Sequence, residues 1–344
     1  MTDVAMLYSG EEPHPVHRGF AESVDADIIG VPQLTPSAVF RVALNRSKFL
    51  YPQYDVLITE GTGALEAGIA NKLSNGTTLL FLAGGHGIHL LNAESDMDVN
   101  SATKSAVVNV FPEVIRSVLA RCVDGVIAVS DLAAEITHRM VGAETPTRIV
   151  HPYIDAGLYD QLIETDPDLS VNEAVTVSQA HHYKGTDILV AAWGRVLDDV
   201  SDATLHIVGA GHPEAYGNKD GIEVHGYVEN LTDVFRRCAL YVQPSRIDTF
   251  PVSTLEAMAT GLPTAVTNKT GTLSEVQKVD PSLIMAPNPS TVGQTISKYF
   301  RTSVSRRRTL SEQFRDIGSR FAETSQRQEF KRNYEEILEE IHSE

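Results

Sequence analysis

The sequence predicts an α/β protein built from two Rossmann-like, doubly wound parallel-sheet domains. Apolar runs of strand length alternate with amphipathic stretches of helical period along both halves of the chain. A chain of 344 residues is longer than one core usually accommodates, so two domains of about 150 to 170 residues are expected. The chain is 42% hydrophobic and 21% charged, which is typical of an ordinary globular protein.

Six strands are predicted in the first half, at residues 4–8, 28–31, 56–59, 79–83, 126–130 and 149–150. Amphipathic segments such as 64–73 and 112–123 lie between them and are predicted helices. Parallel strands need crossover connections of this kind, and the helices then cover both faces of the sheet.

The second half repeats the scheme, with strands predicted at residues 174–177, 205–208, 223–225, 240–242, 264–266 and 283–285. We therefore expect a first domain at 1–152, a second at 153–308, and terminal helices at 309–344 that pack back toward the first domain. Because ligands of open parallel sheets bind beyond the carboxyl ends of the strands, the two domains are expected to face an interdomain cleft.

Charge and cysteine content narrow the function further. Asp and Glu number 45 against 28 Lys and Arg, a formal net charge of -17, which argues against a general nucleic-acid binder. No signal peptide or apolar membrane span is visible, so a cytoplasmic protein is expected. Cys122 and Cys238 lie far apart within predicted helices and are interpreted as reduced core thiols.

The sequence pattern that is most informative about function begins at Pro244. A strand ends there, a loop carries Asp248, and Pro251 suits the first turn of a helix that Gly261 would end. The amides and dipole of such a helix N-terminus favour a phosphate. Asp248 before the helix and Glu256 within it can accept hydrogen bonds from sugar hydroxyls.

A second loop follows the strand at 174–177 and contains Lys184 and Gly185. A lysine at the carboxyl end of a strand is a suitable counter-charge for a diphosphate. Gly209 and Gly211 follow the next strand, where glycine lets a ligand approach the backbone.

Taken together, these segments resemble the retaining GT-B glycosyltransferases of family 4 over nearly the whole chain. The resemblance rests on the lysine-glycine loop, the Val-Gly-Ala-Gly strand end, the Gly-Tyr-Val segment at 226–228, and the Asp-x7-Glu pattern followed by Ala-Met-Ala-Thr-Gly-Leu-Pro. It implies a nucleotide-diphosphate sugar donor held by the second domain, with no metal and no other cofactor.

The resemblance also implies residue roles. Lys184 would contact the donor diphosphate, Glu256 the ribose and Asp248 the transferred sugar, while the amides of residues 250–253 bind the phosphates. Gly10 would face the diphosphate from the opposite domain. The donor-binding set that it implies is Gly10, Gln179, Lys184, Gly185, Gly209, Gly211, Tyr227, Thr249, Phe250, Pro251, Val252, Ser253 and Glu256.

The chain departs from the family pattern at three positions. Gln179 stands where the family usually has an arginine, so one cationic contact is missing. Asp248 replaces the usual glutamate, so sugar selectivity is expected to differ. The family's histidine near the reacting carbon is assigned to His86, which with Lys184 and Asp248 makes the expected catalytic set; Glu60 and His89 are expected on the acceptor side.

The resemblance thus implies transfer of a sugar to a hydroxyl acceptor in cell-surface glycan or glycolipid assembly. Two alternatives stay open. One is a degenerate GT-B protein that binds a nucleotide sugar or a partner without turnover, for which Gln179 is the main argument. The other is a nucleotide-sugar epimerase on the same fold, which leaves the spaced carboxylates and the lysine loop less well explained.

Two cationic segments raise the question of membrane contact. The amphipathic stretch 37–51 carries Arg41, Arg46 and Lys48, and could rest on anionic lipid beside a lipid-linked acceptor. Packing of this helix in the core is the simpler interpretation. Residues 306–308 are three successive arginines that either touch a membrane or complement acidic neighbours.

Overall fold

The computed structural model of the chain describes residues 2–9, 12–31, 50–85 and 112–343. The chain forms two compact units, of which unit 1 comprises Met1–Pro152 and Thr324–Glu344 and unit 2 comprises Tyr153–Glu323. The terminal segment that begins at residue 309 is therefore shared, since its residues up to Glu323 belong to unit 2 and those from Thr324 belong to unit 1.

Unit 1 contains a six-stranded sheet of order β2-β1-β3-β4-β5-β6 in which every neighbouring pair is parallel. Its strands are β1 (Val4–Ser9), β2 (Asp27–Val31), β3 (Val56–Glu60), β4 (Thr78–Ala83), β5 (Gly125–Ala128) and β6 (Thr147–Ile149). Helices lie between the strands at α1 (Pro15–Ser23), α2 (Thr62–Asn75), α3 (Pro112–Cys122) and α4 (Asp131–Val141).

Unit 2 contains a second six-stranded parallel sheet, of order β12-β11-β10-β7-β8-β9. Its strands are β7 (Glu173–Val177), β8 (Thr204–Val208), β9 (Ile222–Gly226), β10 (Leu240–Gln243), β11 (Thr264–Thr267) and β12 (Ile284–Met285). Its helices are α5 (Ala156–Ile163), α6 (Thr186–Asp199), α7 (Leu231–Arg237), α8 (Val252–Ala259), α9 (Leu273–Val279), α10 (Pro289–Phe300) and α11 (Val304–Gly318).

The strand order of unit 2 reverses between β7 and β10, because the chain adds β8 and β9 on one side of β7 and β10 to β12 on the other. Ligands of doubly wound sheets bind at the carboxyl ends of the strands at such a switch point. The loops that follow β7 and β10 are therefore where a ligand of unit 2 is expected.

The last helix, α12 (Glu323–Ser343), packs on the core of unit 1. Its Phe330 is fully buried and stacks on Phe20 of α1 with ring centroids 4.4 Å apart. Ile337 is also fully buried, and it lies where a Cβ on Gly125 of β5 would come within 2.9 Å of its Cδ1. Unit 1 is thus completed by a helix from the far end of the chain.

The structure contains a strand at each of the twelve predicted places, and the bounds differ by two residues at most. The two-residue differences are at the start of β6 and at the end of β5, which ends at Ala128 although the apolar run continues. Ser130 instead caps α4, because its Oγ accepts a hydrogen bond from the Ala133 amide at 3.0 Å.

Two local expectations were wrong. Pro251 lies just before α8 and not in its first turn, because its ψ of 114° is extended. Cys238 follows α7 and does not lie within it. Both Cys122 and Cys238 are free and buried, as predicted, and Gly261 has the positive φ of 77° expected just beyond the end of a helix.

The arginine run at 306–308 complements protein groups. Arg307 is buried, and its guanidinium donates to the carbonyl oxygens of Leu169, Val171 and Phe300. Arg306 pairs with Asp280 at 2.7 Å. The other cationic segment, 37–51, lies outside the described residues apart from its last two positions. No helix of the described ranges is long and apolar enough to span a membrane.

Candidate functional site

The site predicted in unit 2 is centred on an ion pair between the loops that follow β7 and β10. Lys184 Nζ donates a hydrogen bond of 2.7 Å to Asp248 Oδ2. The lysine lies at the end of a short 3-10 turn, His182–Lys184, and the aspartate is held by its own backbone, whose amide donates to the Lys269 carbonyl. The two groups meet at the switch point of the sheet.

This ion pair is partly exposed to solvent. The side chain of Lys184 is 20% exposed and that of Asp248 is 9% exposed. The lysine ammonium also lies 5.3 Å from the centre of the Tyr183 ring. Within the described ranges Asp248 Oδ1 accepts no hydrogen bond, so this oxygen is available to a hydroxyl group.

A chain of buried hydrogen bonds runs from β10 to the carboxylate of Asp248. Tyr241 donates its hydroxyl to Gln243 Oε1 at 2.6 Å, Gln243 Nε2 donates to Ser245 Oγ at 2.8 Å, and Ser245 Oγ donates to Asp248 Oδ2 at 3.5 Å. Ser253 of α8 lies 2.8 Å from the Tyr241 hydroxyl. The donors therefore point toward Asp248, and the aspartate is connected to the start of α8.

Helix α8 brings Glu256 to the same region. No side chain caps its N-terminus at Pro251, and helix geometry leaves the first amides without intrahelical partners. Glu256 is half-buried, and its carboxylate has no hydrogen-bond partner within the described ranges. Burial raises the pKa of the Glu256 carboxyl to about 7. The arrangement offers amides to an anion and a carboxyl group to hydroxyl donors.

Two glycines let these loops pack against each other. Gly185 has a φ of +70°, and a Cβ there would come within 2.1 Å of the Pro244 carbonyl oxygen. Gly209 has a φ of +126°, and a Cβ there would come within 1.9 Å of the Ser178 carbonyl oxygen. Both positions therefore require glycine for the fold itself.

The similarities of the chain to known proteins agree with the family resemblance of its sequence. Residues 172–301 match the model of the glycosyl transferases group 1 family. A mannosylfructose-phosphate synthase of Agrobacterium fabrum is 28% identical over 137 residues, which cover 34% of this chain and 30% of that protein. The match thus spans less than a third of that relative's length.

Solved structures match nearly the whole chain. Sucrose-phosphate synthase from Thermosynechococcus elongatus aligns with a TM-score of 0.71 at 15% identity, covering 98% of this chain and 99% of that one. Anabaena HepE in complex with UDP and glucose aligns with a TM-score of 0.69 at 15% identity, covering 96% and 98%. The chain has the GT-B fold, and residues 172–301 within unit 2 are similar to the glycosyl transferases group 1 family.

In this GT-B chain the other predicted donor residues differ in exposure. Gln179 is exposed, and its Oε1 lies 3.0 Å from His181 Nε2, so the histidine donates to the amide oxygen. Tyr227 is 80% exposed. Thr249 and Phe250 are buried, and the Phe250 ring lies against Phe321 at 5.9 Å between centroids, so only their backbone groups can serve a ligand.

Val252 and Ser253 are half-buried in the first turn of α8. A Cβ on Gly211 would meet only the Ala180 Cβ at 3.5 Å, so packing alone explains this glycine less well than it explains Gly209. Its φ of +83° is the feature that favours glycine there.

Unit 1 of the GT-B fold carries a second titratable group at its own switch point, between β1 and β3. Glu60 ends β3, and burial raises the pKa of its carboxyl to about 7. His17 Nδ1 lies 3.8 Å away, but burial, with a smaller contribution from His14, lowers the pKa of His17 to about 3. The two are therefore not an ion pair, since the histidine is neutral wherever the carboxyl is ionised.

Three predicted residues, Gly10, His86 and His89, lie outside the described residues of the chain. Their roles stay predictions.

Sequence reasoning missed the groups that position the site. Among them are Tyr241, Gln243 and Ser245, which form the buried hydrogen-bond chain. It also missed Arg246, whose guanidinium binds both carboxylate oxygens of Asp187 at 2.7 Å each. The signal for the first three is present in the sequence: polar residues alternate along the end of β10, a strand that is buried throughout.

Proposed function

We propose that this chain is a glycosyltransferase that moves a sugar from a nucleoside diphosphate sugar to a hydroxyl acceptor, with retention at the anomeric carbon. The observation that carries the proposal is the half-buried carboxyl of Glu256, which has no hydrogen-bond partner among the described residues and is close in sequence to an uncapped helix N-terminus and to Asp248. A ribose diol, a diphosphate and a sugar hydroxyl together would satisfy these groups.

The proposed chemistry depends on stabilising the leaving group. Lys184 and the first amides of α8 would take up the negative charge that develops on the departing diphosphate. Asp248 Oδ1 would accept a hydrogen bond from a hydroxyl of the transferred sugar and orient it. The departing phosphate oxygen would take the proton of the acceptor hydroxyl on the same face, which leaves the configuration at the anomeric carbon unchanged. No step in this scheme requires a metal ion.

The donor is proposed to be a uridine diphosphate sugar, since the similar fold of Anabaena HepE was solved with UDP and with UDP-glucose. The acceptor is proposed to belong to cell-surface glycan or glycolipid assembly at the cytoplasmic face of the membrane. His86 would serve the transfer step, and Glu60 and His89 would line the acceptor side.

A transfer assay tests the proposal. Purified chain is incubated with a panel of radiolabelled UDP-sugars and a mixture of glycan and lipid-linked acceptors, and both transfer and slow donor hydrolysis are measured. Glu256→Ala and Asp248→Asn are expected to lose both activities while staying folded. The anomeric configuration of the product, read by nuclear magnetic resonance, tests retention; an inverted product would contradict the mechanism.

A second candidate is a GT-B protein that binds the donor without turnover, and Gln179 favours it. The glutamine is exposed and bonded to His181, so it supplies no charge to a diphosphate. Tight nucleotide binding without transfer or hydrolysis would identify this candidate. Gln179→Arg would then test whether the missing cation is the cause, since turnover should rise if the position faces the diphosphate.

A further inference from the structure

A cluster of histidine and glutamate side chains lies on one face of the unit 2 sheet, in a part that the proposed transfer does not use. In register, His206 of β8 pairs with Glu223 of β9 and with Val175 of β7. Side chains two residues apart on a regular strand share a face, so Glu173 joins Val175. The register of β9 shifts after Val224, and His225 is placed in the cluster by its contact with His206 at 2.9 Å. Four titratable groups from three strands therefore converge.

The distances on the Nδ1 side of His206 fit a metal ion. His206 Nδ1 lies 2.9 Å from His225 Nε2 and 3.4 Å from Glu223 Oε2, and His225 Nε2 lies 3.7 Å from Glu223 Oε2. Ligand atoms placed tetrahedrally about Zn²⁺ at about 2.1 Å are separated by roughly 3.4 Å. Three donors at this spacing can share one ion without large movement.

The other ring nitrogen of His206 already has a hydrogen-bond partner. His206 Nε2 lies 2.7 Å from Glu173 Oε2, and because a carboxylate only accepts, this nitrogen carries a proton. Neutral His206 then presents a lone pair at Nδ1. A carboxylate that holds the distal N–H of a metal-bound histidine is the usual second partner in such sites.

In the neutral form of His206 that can bind a metal, with the proton on Nε2, two acceptors face each other when no ion is present. The Nδ1 lone pair of His206 and the carboxylate of Glu223 are 3.4 Å apart, and only the Nε2 proton of His225 is available between them. A divalent cation would satisfy all three groups at once. It would also balance the charges of Glu173 and Glu223, which flank a histidine that is 1% exposed.

We propose that His206, Glu223 and His225 bind a divalent transition-metal ion of the Zn²⁺ type, with Glu173 as the positioning residue of His206. The site is open on one side, because the side chains of Glu223 and His225 are 52% and 25% exposed, so a fourth position remains for water. Cys238 lies near the Nε2 side of His206 but is fully buried there, and it is not a ligand. The site would join strands β8 and β9 and is independent of the proposed transferase function.

The test uses the full chain after treatment with a chelator. Co²⁺ is titrated and the visible absorption that marks four-coordinate cobalt is recorded, and the melting temperature is measured with and without one equivalent of Zn²⁺. We expect one strong site in the wild type, with a rise in melting temperature. Glu223→Gln and His225→Gln, both at the open side of the cluster, should lose the absorption band and weaken binding at least tenfold.

Three further variants make the result decisive. Glu173→Gln should weaken binding of the ion about 10- to 100-fold, although the three ligands are kept. Glu229→Gln, an exposed glutamate outside the cluster, and Cys238→Ala should bind as the wild type does. The proposal is overturned if the wild type binds no more strongly than Glu223→Gln, or if Cys238→Ala removes the site while Glu223→Gln retains it.

Discussion

At the scale of the residue, a few partly buried polar groups of the site keep unused hydrogen-bonding capacity within the described residues. Among the described residues, Asp248 Oδ2 accepts a hydrogen bond from Lys184 while Oδ1 accepts none. Burial raises the pKa of the Glu256 carboxyl, which has no ion-pair partner among the described residues. Groups in this condition are disfavoured in a folded chain unless a ligand completes them.

The raised pKa of Glu256 predicts the pH dependence of nucleotide binding. The free carboxyl has a pKa of about 7, and the ionised form is the better acceptor for the two hydroxyls of a ribose. Below pH 7 the group must lose its proton on binding, so affinity for UDP should fall by up to about tenfold per pH unit. Calorimetry between pH 5.5 and 8.5 measures this slope.

Glu256→Gln is the control for the pH dependence, since it keeps the size and an acceptor oxygen but does not titrate. Its affinity for UDP should be lower at pH 8, and between pH 6 and 8 it should show only the shallow change that comes from ionisation of the terminal phosphate of UDP, whose pKa is about 6. The same slope in the wild type and the variant would assign the titration to another group.

At the scale of the element, the strands were predictable and the contacts between loops were not. Each strand of both sheets is a short run of apolar residues, so it can be recognised from the local sequence alone. The pairing of Lys184 with Asp248 depends on β7 lying beside β10, two strands separated by β8 and β9 in sequence. From the sequence, both residues were expected at the site, but each as a separate contact to a ligand.

Local geometry also limited the prediction of helix ends. By residue type alone, Pro251 suits either the cap or the first turn of a helix, and only its ψ angle shows which position it takes.

The hydrogen-bond chain through Gln243 was missed for a related reason. A glutamine in a buried strand is explained only by partners at both ends, here Tyr241 and Ser245, and these become evident once side-chain directions are known.

The loop that carries Lys184 gives a prediction of stability. Gly185→Ala would force a Cβ into the Pro244 carbonyl at a positive φ, so we expect a loss of about 2 to 4 kcal/mol. Gly194 is the matched control, because it lies within α6 and a Cβ there meets no atom within 4 Å. Gly194→Ala should stabilise the chain by up to about 1 kcal/mol. Urea unfolding measures both, and equal effects would contradict the described loop packing.

At the scale of the whole molecule, the two units are each completed by segments distant in sequence. Unit 1 takes its last helix from residues beyond 323, and Phe330 of that helix is fully buried against Phe20. Within unit 2, Arg307 of α11 holds the segment that precedes β7 through its carbonyl oxygens. The terminal helices were expected to pack back toward the first domain, but the particular partners of Phe330 and Arg307 could not be read from the sequence.

This arrangement predicts separable effects on stability and binding. Phe330→Ala should destabilise unit 1 by about 3 to 5 kcal/mol through loss of buried area and the cavity that remains. Nucleotide affinity, which we assign to unit 2, should be unchanged at temperatures where the variant is folded. Thermal unfolding and calorimetry on the same sample test the two parts. A loss of affinity in the folded variant would show that unit 1 contributes to the nucleotide site.

The most direct test of the central claim is a calorimetric titration of UDP, GDP and ADP into the wild type, Lys184→Ala and Lys219→Ala. Lys219 is an exposed lysine of the same unit and controls for loss of charge. We predict that UDP binds, that Lys184→Ala weakens it about 10- to 100-fold through loss of a charge-assisted hydrogen bond, and that Lys219→Ala does not. Binding of no nucleotide to the folded chain, or equal binding by Lys184→Ala and the wild type, would contradict the account.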